Sequence, residues 1–305
     1  MMNILILNPG KEKAGRASCP PHVQNNIQEG NKVCPVIFIT VFANHRAGNV
    51  HSRMMKTGWL CWGLCLFCLA VQPAAAQKNI GLRLGSDSVY IQRDSAAPLH
   101  RGFYLVHLHE DETTSDSAGR QYLQTHGGRM ISLQHNGNRL VEFILDGFLY
   151  KTDPNRIFST EGIRRTLYLL NRQRPARAIA ACRKLAGILL QQLHRAKLVV
   201  ALHNNTPGHF SIDSYNQNNS THTYRNADMP ADNFVLTTEP DIFRFLKRNG
   251  INAVLQREST HDGSLSEYCY KRKIPYINIE TEHGRLPEQL ALLEKLEPVF
   301  RRYAP

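Results

Sequence analysis

From residue 78 onward, short apolar runs alternate with longer stretches of helical spacing. Residues 80–93 alternate polar and apolar positions and predict an opening β element. Phe103, Tyr104, Leu105, Val106 and Leu108 predict a short buried strand. Residues 130–133 and 140–145 read as two strands joined through Asn136-Gly-Asn138, a hairpin-type turn. An irregular polar stretch, 151–156, follows. Further strands are expected over 197–203, 234–237, 253–255 and 275–280, and helices over 115–125, 160–171, 241–247, 265–271 and 287–303. Pro175 opens another long helix, in which Ile179, Cys182, Leu185, Ala186, Leu189 and Leu193 recur on one face. Such alternation predicts an α/β fold, a mixed and largely parallel sheet flanked by helices. Residues 204–232 are rich in Asn, Ser, Thr and His with little apolar periodicity, and a loop this long is usually functional or disordered.

The residues before 78 follow another pattern. Residues 55–77 have a basic start, an apolar run of about a dozen residues and small residues at Ala74 and Ala76, as in a cleavable secretory signal. The run is too short for a comfortable membrane span. Residues 54–77 are therefore expected to direct export, placing the protein outside the cell or in the periplasm. Residues 1–53 are unpatterned apart from one apolar run, Val36 to Phe42, and are expected to be an over-extended N-terminus that is not folded. That leaves 78–305 as one domain, large enough for a sizeable core. Of the chain's +12 charge, +7 belongs to this part, with 30 Lys and Arg against 23 Asp and Glu. The cations are scattered without an aromatic-interleaved stripe, which points to a solvated basic surface rather than a nucleic-acid partner. Cys182 and Cys269 lie in this domain; sequence leaves open whether they pair.

The chemistry gathers at strand ends. His109 and Glu112, spaced His-x-x-Glu, follow the strand at 103–108; His203 ends the strand at 197–203; Glu280 ends the strand at 275–280. Two imidazoles and one carboxylate hold a zinc ion with one position open. A further carboxylate beside it takes a proton from water that zinc acidifies, and a loop Arg and Asn bind a substrate carboxylate and steady the oxyanion. Asn155-Arg156 is placed for that task. His107 competes with His109, and strand alternation is expected to turn both to one face. Glu282 competes with Glu280.

On His109-Glu-Asp-Glu112, Asp153-Pro-Asn-Arg156, Leu202-His203-Asn204 and the strand ending at Glu280, the chain resembles the zinc carboxypeptidase-type metallohydrolases. That superfamily also holds murein-peptide amidases and the succinylglutamate desuccinylase and aspartoacylase deacylases. The resemblance spans roughly residues 100–285 and includes the Gly263-Ser-Leu265 run. It implies a zinc carboxypeptidase-like α/β/α fold and one Zn2+ per chain on His109, Glu112 and His203. It further implies Asn155 and Arg156 as substrate binders and Glu280 as general base and later acid. The expected reaction is hydrolysis of an amide bond adjacent to a carboxylate, on a peptide or murein peptide, with an N-acyl amino acid deacylase as the alternative. A metal-free peptide- or glycan-binding domain on the same scaffold is the alternative of another class. The chain departs from the family at the mobile-loop tyrosine, where Glu258 stands and Tyr268 and Tyr270 fall later. It departs again at the second substrate arginine, for which Arg139 is the candidate. Glu282-His-Gly also resembles the deacylases' Glu-x-Gly.

Overall fold

The computed structural model describes residues 76–99, 102–215 and 221–304, all within one compact unit, Val71–Pro305. The expected unfolded N-terminus and export signal lie, through residue 75, outside the described residues. The opening β element is two strands, β1 (Ala76–Leu84) and β2 (Asp87–Ala96), because Gly85 takes a positive φ and turns the chain back. Then come β3 (Phe103–His107), α1 (Thr113–His126), β4 (Gly128–Gln134), β5 (Val141–Leu145), β6 (Phe148–Thr152), α2 (Thr160–Asn171) and α3 (Ala176–Leu193). β7 (Leu198–Asn205), β8 (Thr221–Tyr224), β9 (Phe234–Thr237), α4 (Pro240–Arg248), β10 (Ala253–Gln256), α5 (Leu265–Arg272), β11 (Tyr276–Glu282) and α6 (Leu286–Arg301) complete it.

Nine strands form one mixed sheet in the order β1-β2-β4-β3-β7-β11-β9-β10-β8. Its centre, β4-β3-β7-β11, is parallel, and antiparallel pairings lie outside it. Val199, Ala201 and Tyr276 pack on one face of the sheet with α2, α3 and α5; Val200, Leu202, Ile277 and Ile279 pack on the other with α1, α4 and α6. β3 and β7, wholly buried, are apolar on both sides for this reason. No helix among the described residues is long and apolar enough to cross a membrane.

Two expectations are corrected. β4 and β5 are not a hairpin: β4 lies between β2 and β3 in the main sheet. β5 instead pairs antiparallel with β6 in a separate two-stranded sheet, across Asp146-Gly147. Both turn residues have positive φ, the I′ geometry that matches strand twist. The 204–232 segment is also partly ordered, with a 3-10 turn at Ile212–Tyr215 and β8, which pairs with β10 at the sheet edge. Cys182 and Cys269 are both buried and free.

Candidate metal centre

β3 stops at His107, and the next residues turn over the end of the sheet into α1, whose N-cap is Glu112. The Glu112 amide donates to the His109 carbonyl at 3.0 Å, closing the turn. Both side chains thereby meet His203, at the C-terminal end of the neighbouring strand β7. His109 Nδ1 lies 3.0 Å from Glu112 Oε1, His203 Nδ1 lies 2.9 Å from Glu112 Oε2, and the two Nδ1 atoms are 3.2 Å apart. The three side chains are buried and form a group of potential ligands within 4.8 Å of one another.

Their surroundings fit a divalent cation. Two imidazole nitrogens in contact repel unless a proton or a cation stands between them. Ligand atoms about 2.0–2.1 Å from a tetrahedral ion are spaced about 3.3 Å apart, near the spacing found here. His109 Nε2 donates to Asp153 Oδ1 at 3.0 Å, which leaves the Nδ1 lone pair for the cluster, as carboxylates behind metal-binding histidines do. Asp153 is in turn held as the N-cap of a 3-10 turn, Pro154–Arg156, accepting from the Asn155 amide at 2.8 Å. Asn204, next to His203, accepts from the Ser115 amide at 2.8 Å and donates to Gln289 of α6 at 2.9 Å; its own amide donates to Glu112 Oε2 at 3.1 Å. The ligand strand, the ligand helix and α6 are thus locked together.

Electrostatics follow from this packing. Burial alone raises the Glu112 carboxyl, but the His203 and His109 imidazoles reverse that and hold it well below the ordinary range. Burial opposes charge on His109, and Glu112 and Asp153 together outweigh it, raising its pKa to about 9. Arg139, from the segment between β4 and β5, reaches Glu112 Oε1 at 2.5 Å. His107, by contrast, faces α1, with Nε2 3.0 Å from the Glu112 carbonyl and Nδ1 3.6 Å from Asp116. The expectation that His107 and His109 share a face is corrected, because the strand ends between them and alternation does not carry through the turn.

Glu280 stands beside His203 in register on β11. It is 6% exposed, and Asn278 donates to its Oε1 at 2.9 Å. Burial pushes its carboxyl up; Glu112 adds to this and His203 opposes it. Glu282, at the strand end, is half-buried and lies 3.7 Å from Arg285. Asn155 Oδ1 accepts from the Leu265 amide at 3.0 Å, and Phe158 donates its amide to the Gly263 carbonyl at 3.0 Å. Arg156 Nη1 is 3.7 Å from Asp262. The Asn155–Arg156 segment is therefore braced by the loop before α5, whose Glu267 accepts from the Gly263 amide at 2.6 Å and Ser259 at 3.0 Å. Sequence reasoning gave no role to Asp153, although it stands in the quoted motif, nor to Glu267. It also missed Tyr215, whose hydroxyl is pushed up by burial and by Glu280.

No family model matches the sequence, and no curated protein matches it. Solved structures do. An aspartoacylase family protein from Mesorhizobium loti aligns at 14% identity, covering 73% of this chain and 66% of its own, with a TM-score of 0.42. A carboxypeptidase A-like protein from Shewanella denitrificans aligns at 9% identity over 76% of this chain and 66% of its own, TM-score 0.42. Thrombin activatable fibrinolysis inhibitor aligns at 11% identity over 73% and 69%, TM-score 0.42. The chain spans just under two thirds of the first two. At this level the likeness is a partial one of fold and bears on neither reaction nor substrate; the chemistry rests on the residues themselves.

Proposed function

We propose that the protein is an exported zinc-dependent hydrolase that cleaves an amide bond adjacent to a carboxylate, on a peptide or murein peptide. The observation that carries this reading is the buried His109–Glu112–His203 cluster with Asp153 behind His109 and Glu280 beside His203. His109, Glu112 and His203 would hold one Zn2+, which would supply Lewis-acid polarisation of the scissile carbonyl and acidify water. Glu280, its carboxyl raised by burial, accepts a proton from the attacking water and returns it to the departing amine. A base raised towards neutral pH suits both halves of that task. Arg156 pairs with the substrate carboxylate, and Asn155 orients it from a segment held by the 262–265 loop. Arg139, whose other contact is Glu112, supplies positive charge where the oxyanion develops. Deacylation of N-acyl amino acids uses the same groups and is distinguished by substrate. Export rests on the 54–77 segment.

Elemental mass spectrometry of the purified protein and of His203→Ala tests the reading. About one zinc per chain, lost in the variant, is the expected result. Protein that takes up no zinc on reconstitution would overturn it and favour a metal-free binding domain.

A further inference from the structure

The β5–β6 hairpin presents two different faces. Val141, Phe143, Tyr150 and Thr152 point inward and are buried. On the outer face, Glu142 pairs with Lys151 at 2.7 Å, and beyond that pair Ile144 and Leu149 stand opposite each other, 43% and 52% exposed. Phe148, at the tip, is 60% exposed. The turn itself is tight, with Asp146 and Gly147 both taking the positive φ of the I′ geometry. The hairpin is also tied at its side, where the Ser86 amide donates to the Ile144 carbonyl at 3.0 Å and the Ile144 amide to Asp87 at 2.6 Å. An apolar tip held this firmly is not explained by local packing.

α2 lies beside this hairpin. Asn171 brackets Lys151, accepting its amide and donating to its carbonyl, both at 2.8 Å. The last turn of α2 therefore runs next to Leu149. One face of α2, at three- and four-residue spacing, carries Arg164, Arg165, Tyr168, Leu169 and Arg172, all exposed. Arg164, Arg165 and Arg172 have no carboxylate partner among the described residues. Residues 161–184 hold seven Lys and Arg against a single carboxylate, Glu161, and the one acidic residue of the hairpin turn, Asp146, is paired with Arg177. Exposed apolar side chains at the hairpin turn, beside a helix whose exposed arginines lack carboxylate partners among the described residues, complement a surface that offers both apolar and anionic groups.

We infer that this face docks the protein on the surface of a bilayer containing anionic phospholipid, with Phe148 and Leu149 entering the headgroup region and the α2 arginines meeting phosphates. Interfacial binding combines these two contributions, apolar burial and attraction of Lys or Arg to anionic lipid. A solvated basic surface needs no exposed Phe148 or Leu149. The hairpin also links this face to the metal centre: Asp153 is five residues from Phe148, a span on the order of 17 Å. Docking would keep the centre near the membrane surface. The inference does not depend on the reaction proposed above.

The test is co-sedimentation of the full-length chain with vesicles of phosphatidylcholine containing about 30% phosphatidylglycerol, and with phosphatidylcholine alone. Binding is expected to the anionic vesicles, absent from the neutral ones, and weakened at roughly 0.5 M salt. Arg164→Ala and Arg165→Ala should each reduce partitioning about fivefold. Phe148→Ser with Leu149→Ser should reduce it more than about tenfold, since two large apolar side chains no longer enter the interface. Circular dichroism should be unchanged in each, because the altered side chains are exposed. Absence of binding to anionic vesicles would overturn the inference. So would binding equal in all variants, which would place it on another part of the chain such as residues 55–77. A dimer dispersed by the Phe148 and Leu149 changes, without vesicle binding, would overturn it in favour of a contact between two copies.

Discussion

Replacing Gly162 with alanine would place a methyl carbon 2.5 Å from the Gly263 Cα and 2.6 Å from the Arg156 carbonyl oxygen. Ordinary contact begins at 3.4 Å, so the gap must open by about 0.9 Å on one side and 0.8 Å on the other. Both neighbours are backbone, and no side-chain rotation relieves the clash. What must move is the junction between the start of α2 and the loop before α5, which also holds Asn155 and Arg156. Overpacking of this kind costs about 1–3 kcal/mol. Alanine in place of glycine inside a helix returns at most about 1 kcal/mol, so a net loss of up to about 2 kcal/mol is expected. Gly187, in α3, is the matched control. A methyl there meets nothing within 4 Å, and Gly187→Ala should gain about 0.4–1 kcal/mol. Urea unfolding measures both, and unchanged m-values would show that the native state is the one perturbed. The two midpoints should move in opposite directions. Displacing Arg156 by nearly 1 Å should also lower kcat/KM by up to about a hundredfold at constant zinc content. A Gly162→Ala midpoint that rises like that of Gly187→Ala would refute the reasoning.

Three further substitutions separate the parts of the site. Asp153→Asn keeps the shape but loses the charge behind His109, and zinc affinity, read by competition with a chelating dye, should fall about 10–100-fold; unchanged affinity would remove Asp153 from the site. Asn204→Leu leaves the Ser115 amide and the Gln289 carboxamide without their partner in a buried place, and unfolding should show a loss of about 1–3 kcal/mol. Glu280→Gln should abolish hydrolysis while leaving zinc content intact. Because burial raises the Glu280 carboxyl in the folded state, the protonated form is favoured there. Stability from this group is therefore full below the unfolded carboxyl pKa and is lost as pH rises through the folded value. In chelator-treated protein, Glu280→Gln should melt higher than the parent at neutral pH and lose that advantage near about pH 4; a lower melt at neutral pH would contradict the assigned burial.

The fold was legible where one element depended on its own residues. Helix α2 follows from Ser159, whose hydroxyl oxygen accepts the Gly162 amide, and from Ile163, Thr166 and Leu167 on one face, so its bounds could be read from spacing. The pairing of β5 was not legible. Asn136-Gly-Asn138 and Asp146-Gly147 both carry turn chemistry, and local propensity cannot tell which one reverses the chain against its own strand. The decision is made by distant partners: β4 is drawn into the main sheet between β2 and β3, and β5 is left to β6. β8 was hidden for a similar reason, since its four residues are edge positions whose only strand partner among the described residues is β10. A short edge strand needs no apolar alternation.

In the site, the residues that touch one another through a short turn were the readable ones. The His-x-x-Glu spacing places His109 and Glu112 within one turn, and His203 could be added because strand ends are where open α/β sheets present polar groups. What orders them could not be read. Asp153 is 44 residues from His109, and Gln289 is 86 from His203, and each acts by a hydrogen bond whose donor and acceptor are common residue types. Glycines 162 and 263 carry even less signal, since what they contribute is the absence of a side chain at one point of contact. The division has a physical basis: the reacting groups must be chemically unusual and so leave a mark in the sequence. The groups that hold them in place need only the right shape at the right distance. A search for the site from sequence therefore finds its ligands before its braces, and the Gly162–Gly263 contact is where a substitution distant from the chemistry should cost activity with little change in metal content.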